Sequence, residues 1–412
     1  MLDQNIELKR SCYRGEIYVE KLCVPALILY ITSLFIFVDN PQFVNVSRVL
    51  FLFFAGVTTL VIISRQEVYV EKAMIYLYCF FVFCLASCFW ALSYDDAVRK
   101  VVLLVQMLIL LFLICQALSS KRQIDIVVFG IAIAGVALFI YGVIIYGLEH
   151  IYYAVLTGER LGKEISQENT MGRLASIASI VWFCYGVQKK NYLYFAAWLM
   201  PFVMVLASGS RTSAAIALIG ILIAIIAKIG FKKSYKLLVR IPIVGVLLYF
   251  ILQLSIFDSI KLRYFSLYSA VTTGEGDGNM RINMVKWGLE WFKESPIWGY
   301  GVGNYGELLV NKIGWDTYAH NNFIELLVGV GIIGFSLYYA VYAYIFYHLN
   351  QLMKRKDPTA TILFIVLIMW ICSEIGAVNY TSKMTYVLIG ICISYIRLSN
   401  NQEITKHSRR KA

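Results

Sequence analysis

Apolar residues fall into recurring blocks along the chain, separated by short polar segments. About 20 apolar residues suffice for a helix to cross the hydrocarbon core of a bilayer. We therefore predict an all-α polytopic membrane protein, a single domain over residues 1–412, with about 12 transmembrane helices near 22–38, 49–64, 73–93, 101–118, 126–147, 171–187, 192–207, 212–230, 241–257, 321–348, 359–376 and 383–396. The block 321–348 is long for one crossing, so its glycines predict a short partial helix before the true span.

Composition agrees with this pattern. Hydrophobic residues make up 60% of the chain, charged residues 15%, and the mean hydropathy is +0.70, whereas soluble domains carry about 25% charged residues. No cleavage site follows the first span, which we expect to remain as an anchor. Few charges lie within the predicted spans, Glu325 and Glu374 among them, which argues against ion-coupled transport.

Basic residues are unevenly divided between the two sides of the predicted bundle. Of the 37 Lys and Arg, 23 lie on the side that holds both termini, so the positive-inside rule places both termini in the cytoplasm. The net charge of +12 is then explained by membrane topology and by contact of basic residues with the lipid bilayer. It does not indicate nucleic-acid binding, and no nucleic-acid partner is expected.

Three segments on the opposite, exterior side stand out: 148–170, the short turn 208–213, and the large loop 258–320. Within that loop, large apolar residues alternate with charged ones from Met280 to Lys293, and this pattern predicts a helix lying along the membrane surface. No cysteine is predicted in an exterior loop, so no disulfide is expected. The sequence carries no nucleotide-binding loop and no metal-ligand spacing, and we expect neither a metal nor a cofactor.

His320 is the candidate with the clearest chemistry. It stands where the large loop meets an apolar helix, and a titratable group in such a position is rarely without function. The positive end of a helix dipole disfavours imidazolium, and a neutral imidazole can act as a general base. The alternative is a polar helix cap at the headgroup level.

Two arginines are further candidates on the same side. Arg211 begins a predicted span, with Ser210 as its N-cap, and Arg281 begins the surface helix. A helix start favours anions, and a guanidinium offers a bidentate fork to phosphate. The alternatives are an interfacial Arg211 reaching to lipid headgroups and an Arg281 that is an ordinary surface charge.

At His320 the sequence resembles a known family. His320 and Asn321, followed after nine residues by Gly331 and Gly334, fit the signature of the bacterial O-antigen ligase and O-antigen polymerase superfamily. Upstream, RINMVKWGLEWFKESPIWGYGVGNY is similar to that family's loop pattern. SGSRTS resembles its Arg-bearing turn, and GERLGKEISQENTMG resembles its earlier exterior segment. The resemblance runs from about residue 158 to 347.

The resemblance implies a metal-independent membrane glycosyltransferase without a cofactor. Its donor is a glycan on undecaprenyl diphosphate, presented at the periplasmic or extracellular face of the inner (plasma) membrane. By resemblance, Arg211 and Arg281 hold the donor diphosphate, and His320 serves the acceptor hydroxyl in an inverting reaction. Substrate contacts are implied for Arg160, Asn169 and Asn321.

Polymerase and ligase share this signature. A polymerase joins repeat units on the lipid carrier, with a flippase and a chain-length regulator as partners, whereas a ligase moves the chain to lipid A core. The continuation after Asn321 and the GYGVGNY turn resemble the polymerase branch, which includes capsule polymerases. A polysaccharide exporter or other permease is the alternative of another class.

Overall fold

The computed structural model describes residues 2–229 and 277–411, apart from 38, 39, 41 and 166. Within these residues the chain forms fourteen helices and no strand. They are α1 (Leu2–Phe37), α2 (Val44–Arg65), α3 (Lys72–Ser87), α4 (Tyr94–Ala117), α5 (Lys121–Tyr146), α6 (Leu148–Thr157), α7 (Glu168–Lys189), α8 (Tyr192–Ala207), α9 (Arg211–Ile229), α10 (Asp277–Glu294), α11 (Tyr305–Ile313), α12 (Asn322–Lys354), α13 (Pro358–Ser373) and α14 (Lys383–Lys411).

Seven of these helices are long and apolar enough to cross a membrane: α1 over Glu20–Phe37, α2, α4, α5, α7, α9 and α12. Three shorter apolar helices, α3, α8 and α13, accompany them. The all-α prediction is therefore confirmed, and the apolar helices suit a multi-pass membrane protein. The count of twelve spans remains a prediction, and the predicted span 241–257 lies outside the described residues.

Polar residues mark where several helices begin. Ser120 forms a capping box with Gln123 at the start of α5, and the Asp357 side chain caps α13, whose first residue is Pro358. These side chains satisfy backbone N–H groups that have no partner within the helix. Small residues let helices pack closely: a Cβ on Gly135 of α5 would lie 2.2 Å from the Cβ of Ala178 in α7.

The predicted partial helix in 321–348 is confirmed. Helix α12 is broken at Gly331, whose φ of 59° and ψ of −169° are not helical. A Cβ at Gly331 would lie 2.2 Å from the carbonyl oxygen of Ile297, so this position requires glycine for both conformation and space.

The break in α12 is filled by the main chain of the preceding loop. The N–H of Ile332 donates to the carbonyl of Pro296, and the N–H of Tyr300 donates to the carbonyl of Val328, each at 2.9 Å. The groups released by the break are thereby paired, as buried backbone groups must be. The loop that carries the Gly-rich turn is consequently joined to α12 at two points.

The helix predicted over Met280–Lys293 is present as α10. Its Met284 and Trp291 are buried together with Tyr305 of α11 and Ile324 of α12. Part of its apolar face is thus covered by the protein itself. That α10 lies on the membrane surface remains a prediction. That 258–320 forms one large exterior loop also remains a prediction, and residues 258–276 lie outside the described part.

Candidate functional site

His320 lies in a short turn that enters α12. The side-chain oxygen of Asn321 caps the helix, accepting hydrogen bonds from the N–H groups of Phe323 at 3.0 Å and Ile324 at 3.1 Å. His320 itself has a φ of 51°, a left-handed conformation that is uncommon for residues other than Gly, although Asn, Asp and His adopt it more often than the rest. Its ring is half-buried, with its centroid 4.0 Å from that of Tyr318. The cap is therefore Asn321, and His320 is held beside it.

The environment of His320 favours a neutral imidazole. Burial, and after it the positive charge of Arg281, lowers the pKa of His320 to about 4. The causes are partial burial of the ring and a cation supplied by α10, both tertiary, rather than the helix dipole expected from the sequence. A neutral ring can accept a proton from a hydroxyl group.

Asn322 supports the turn, although the sequence analysis did not single it out. Its side-chain oxygen accepts hydrogen bonds from the N–H groups of Asn379 at 2.8 Å and Tyr380 at 2.9 Å. Its amide nitrogen donates to Glu374 at 3.2 Å and to the Tyr339 hydroxyl at 3.0 Å. A second asparagine directly after a capping asparagine was a usable signal, because buried amides in helices need specific partners.

The two acids noted in the predicted spans both lie around this turn. Glu374 accepts hydrogen bonds from the hydroxyls of Tyr339 at 2.7 Å and Tyr342 at 3.3 Å. Glu325 is 4% exposed and accepts a hydrogen bond from the N–H of Ala319 at 2.9 Å. Each carboxylate thus has hydrogen-bond donors, as buried acids require.

Arg281 is the fifth residue of α10 as described, and its side chain is exposed. Gly288 of the same helix allows close packing on α12, because a Cβ there would lie 2.3 Å from Ile324. This packing fixes α10 beside the start of α12 and brings the charge of Arg281 within electrostatic range of His320. The structure therefore brings these two candidates together.

Arg211 begins α9 and is exposed. The Ser210 hydroxyl accepts a hydrogen bond from the N–H of Ser213 at 3.3 Å, so the predicted N-cap is confirmed. Thr212 lies against Gly376, with its Oγ1 3.1 Å from where a Cβ on that glycine would stand. Gly376 belongs to the α13–α14 connection, which also binds Asn322, so the Arg211 turn lies at the same end of the bundle as His320.

Arg160 and Asn169 contact each other. The Arg160 guanidinium donates to the Asn169 side-chain oxygen at 2.9 Å and lies 3.9 Å from the Glu168 carboxylate. Their loop is fixed to the end of α8, because the N–H of Leu161 donates to the carbonyl of Ala207 at 3.0 Å. This pair therefore borders the Arg211 turn, and none of the described contacts joins it directly to His320.

Two further cations lie nearby that the sequence analysis did not select. Arg173 of α7 donates to the side-chain oxygen of Asn379 at 3.1 Å. The Lys100 ammonium of α4 lies 5.8 Å from the centre of the Tyr380 ring. Both contact the α13–α14 connection. Both lie in apolar helices, and no local motif around either residue marks it as functional.

These features define a class of protein: a helical membrane protein with a neutral, half-buried imidazole and several cations at one end of the bundle. Such a site can take a proton from a nucleophile and stabilise an anionic leaving group. Within the described residues, no group of three or more His, Cys, Asp or Glu is placed to hold a metal ion.

Part of the chain matches a known protein family. Residues 195–339 match the family model described as O-antigen ligase, and this match supports the resemblance to the O-antigen ligase and polymerase superfamily. The matched segment contains Arg211, Arg281 and His320, whereas Arg160 and Asn169 precede it. No curated protein matches the chain.

Proposed function

We propose that the protein is a membrane glycosyltransferase that joins oligosaccharide repeat units carried on undecaprenyl diphosphate into a surface polysaccharide. The observation that carries this proposal is the half-buried His320, whose neutral imidazole lies within electrostatic range of Arg281 inside the segment that matches the family. A general base beside a cation suits attack by a hydroxyl on a carbon whose leaving group is a diphosphate.

In the proposed reaction, His320 takes the proton of the acceptor hydroxyl as that oxygen attacks the anomeric carbon of the donor glycan. The bond between this carbon and the diphosphate oxygen breaks, and the electron pair leaves with the lipid diphosphate. Attack from the face opposite the leaving group inverts the anomeric configuration. Arg281 and Arg211 offset the charge that develops on the diphosphate.

Three side chains are proposed to contact substrate outside the reacting atoms. Arg160 and Asn169 form one hydrogen-bonded pair, which we assign to the glycan. The oxygen of Asn321 is used in capping α12, so its amide nitrogen is the group proposed to donate to the acceptor.

The reaction requires the His320 end of the bundle to face outward. The distribution of basic residues supports cytoplasmic termini and an exterior 258–320 segment. Reporter fusions at Lys312 and Ala412 test this. We expect a reporter that works only outside the cytoplasm to be active at Lys312 and inactive at Ala412, and cytoplasmic activity at Lys312 would contradict the proposed active face.

A ligase is the second candidate, because the match to the family model described as O-antigen ligase supports polymerase and ligase alike. The glycan profile of a His320→Ala strain separates the two functions. General-base assistance contributes about 10²–10⁴ in rate. A polymerase that loses it should leave single repeat units, whereas a ligase should accumulate long carrier-linked chains and unmodified lipid A core.

His150→Ala is the matched control. His150 is exposed, with its ring 3.8 Å from the Glu159 carboxylate, and its removal should leave the glycan profile unchanged. Membrane levels of both variants are compared by immunoblot. A wild-type profile for His320→Ala at a normal protein level would refute the role of His320 as the base.

A further inference from the structure

Glu325 makes a hydrogen bond that a helix of this kind does not need for its own stability. Asn321 already caps α12 by accepting from Phe323 and Ile324. The carboxylate of Glu325 instead reaches back before the helix and accepts from the N–H of Ala319 at 2.9 Å. Ala319 is buried and immediately precedes His320.

A buried carboxylate is an expensive way to satisfy one backbone donor. Glu325 is 4% exposed, and taking an ionised acid out of water is unfavourable unless charge and hydrogen bonds compensate. Lys100 supplies opposite charge within electrostatic range of the carboxylate. This ammonium also lies 5.8 Å from the centre of the Tyr380 ring. A backbone N–H from the preceding loop and an ammonium from α4 therefore both serve one carboxylate at this position.

The segment held by Glu325 has a strained backbone. His320 has a φ of 51°, and a non-glycine residue persists in such a conformation only when its surroundings hold it there. The N–H of Ala319 is bound by the Glu325 side chain at 2.9 Å, and the N–H of Asn322 is bound by the backbone carbonyl of Glu374 at 2.8 Å. His320 thus lies between two fixed points, one on each side.

We propose that Glu325 is a positioning residue for His320: its carboxylate binds the Ala319 N–H and so fixes the left-handed turn that carries the imidazole. This inference rests on the proposed function, in which His320 is the base. The hydrogen bond, rather than the negative charge, is the essential contribution, because the described hydrogen bond of the carboxylate goes to the Ala319 N–H and not to the imidazole.

Two substitutions separate the hydrogen bond from the charge. Glu325→Gln keeps an oxygen that can accept from Ala319 and removes the charge, whereas Glu325→Leu keeps a similar volume and removes the acceptor. Purified full-length variants are assayed for glycan transfer from an undecaprenyl-diphosphate oligosaccharide across a pH range. Glu149→Leu and Glu149→Gln, at an exposed position in α6, are the matched controls.

We expect Glu325→Leu to lower kcat by about 10- to 100-fold with KM changed less than about 3-fold, because a misplaced catalytic group costs rate more than binding. The fall of kcat at low pH, the acid limb of its pH profile, should move to higher pH in this variant. Once the turn is no longer fixed, His320 becomes more exposed and its pKa returns towards its ordinary value. Glu325→Gln should stay within about 3-fold of wild type in kcat. A purely structural role would lower thermal stability without moving the acid limb.

Three outcomes would overturn the inference: Glu325→Leu with wild-type kcat, Glu325→Leu with reduced kcat but an unmoved acid limb, or Glu325→Gln as impaired as Glu325→Leu. Should Glu325→Leu fail to accumulate in the membrane, Glu325→Asp replaces it, because the shorter side chain keeps the charge and loses the reach to Ala319. Normal kcat in that variant also overturns the inference. If the His320→Ala variant is active, the proposed function is rejected. If His320→Ala is inactive while Glu325→Leu has normal activity, only the role of Glu325 is rejected.

Discussion

The turn at residues 319–322 and the exposed arginines around it are built in opposite ways. The turn is tied through main-chain and side-chain hydrogen bonds to Glu325 and Glu374, both buried. Arg211 is the first residue of α9 and Arg281 is the fifth described residue of α10, and both side chains are exposed. One region is fixed by the protein interior, and the other is presented to the medium.

The difference follows from what each group is proposed to do. Proton transfer needs a hydrogen bond of defined length and direction, so a base must be held in place. Attraction between a guanidinium and a diphosphate falls off slowly with distance, and a flexible side chain can follow a mobile lipid-linked substrate. Four substitutions test this contrast, in order of decreasing expected effect.

Gly331→Ala should disrupt the fixed region most. Its φ of 59° and the Ile297 carbonyl oxygen, 2.2 Å from where a Cβ would stand, leave no room for a side chain. We expect a loss of about 3 kcal/mol or more in the free energy of unfolding, measured by thermal unfolding in detergent. Gly56→Ala in α2, where a Cβ meets nothing within 4 Å, is the control and should be nearly neutral. Equal stability of the two variants would contradict the structural importance of the break.

Arg281→Lys should reduce transfer by about 10- to 100-fold, because a point charge lacks the bidentate fork of a guanidinium. Thermal stability should stay close to that of wild type, since the side chain is exposed. Lys286→Arg, elsewhere on α10, is the matched control and should be silent. Normal transfer by Arg281→Lys together with failure of Arg281→Ala would show that charge alone suffices.

The pH dependence should show how the two regions meet. His320 has a pKa of about 4, so its imidazole stays neutral as the pH falls through 6.5, and the His320-dependent acid limb of kcat/KM should lie near pH 4. As the pH falls, the unfolded state binds this proton near pH 6.5, before the folded state does near pH 4. The contribution of His320 to the free energy of unfolding is therefore full above pH 6.5 and is lost as the pH falls towards 4.

Arg281→Gln should move that limb to higher pH by up to about one unit, because removing a nearby cation favours imidazolium. Lys286→Gln should leave the limb in place. A limb that stays fixed in Arg281→Gln would mean that burial alone sets the pKa of His320.

Arg160→Gln should have the smallest effect. Its pair with Asn169 is exposed and precedes the matched segment, and exposed pairs contribute about 0–1 kcal/mol. We expect KM for the donor to rise a few-fold with kcat unchanged, and Asn169→Ala to add little to Arg160→Gln because the two act together. A large loss of kcat would place Arg160 among the groups that act on the reacting atoms.

Much of this architecture could be predicted from the sequence because it depends on local patterns. Block length and hydropathy located the long helices, and the glycines of the 321–348 block indicated the break at Gly331. Ser210 was recognisable as a cap from its place before an apolar run. Helix α8 begins and ends at the predicted residues, 192 and 207.

What the sequence could not supply depends on contacts between distant segments. Helices α6 and α11 fall in segments that the sequence predicts as exterior loops. Each helix is short, and a short helix is stable only when it packs against the rest of the protein, which the local sequence does not show. Three partners of Asn322, namely Glu374, Asn379 and Tyr380, lie more than 50 residues away, in the α13–α14 connection. The low pKa of His320 arises from burial and from Arg281 on another helix, and neither can be seen in a window around the histidine.

The joint between Pro296–Tyr300 and Val328–Ile332 has a consequence for protein engineering. Its hydrogen bonds run between backbone atoms, so they depend on the path of both segments rather than on any one side chain. A chimera between relatives that exchanged the signature helix alone would combine two backbones that had never been matched. The smallest portable unit is therefore about residues 295–334, transferred as one block.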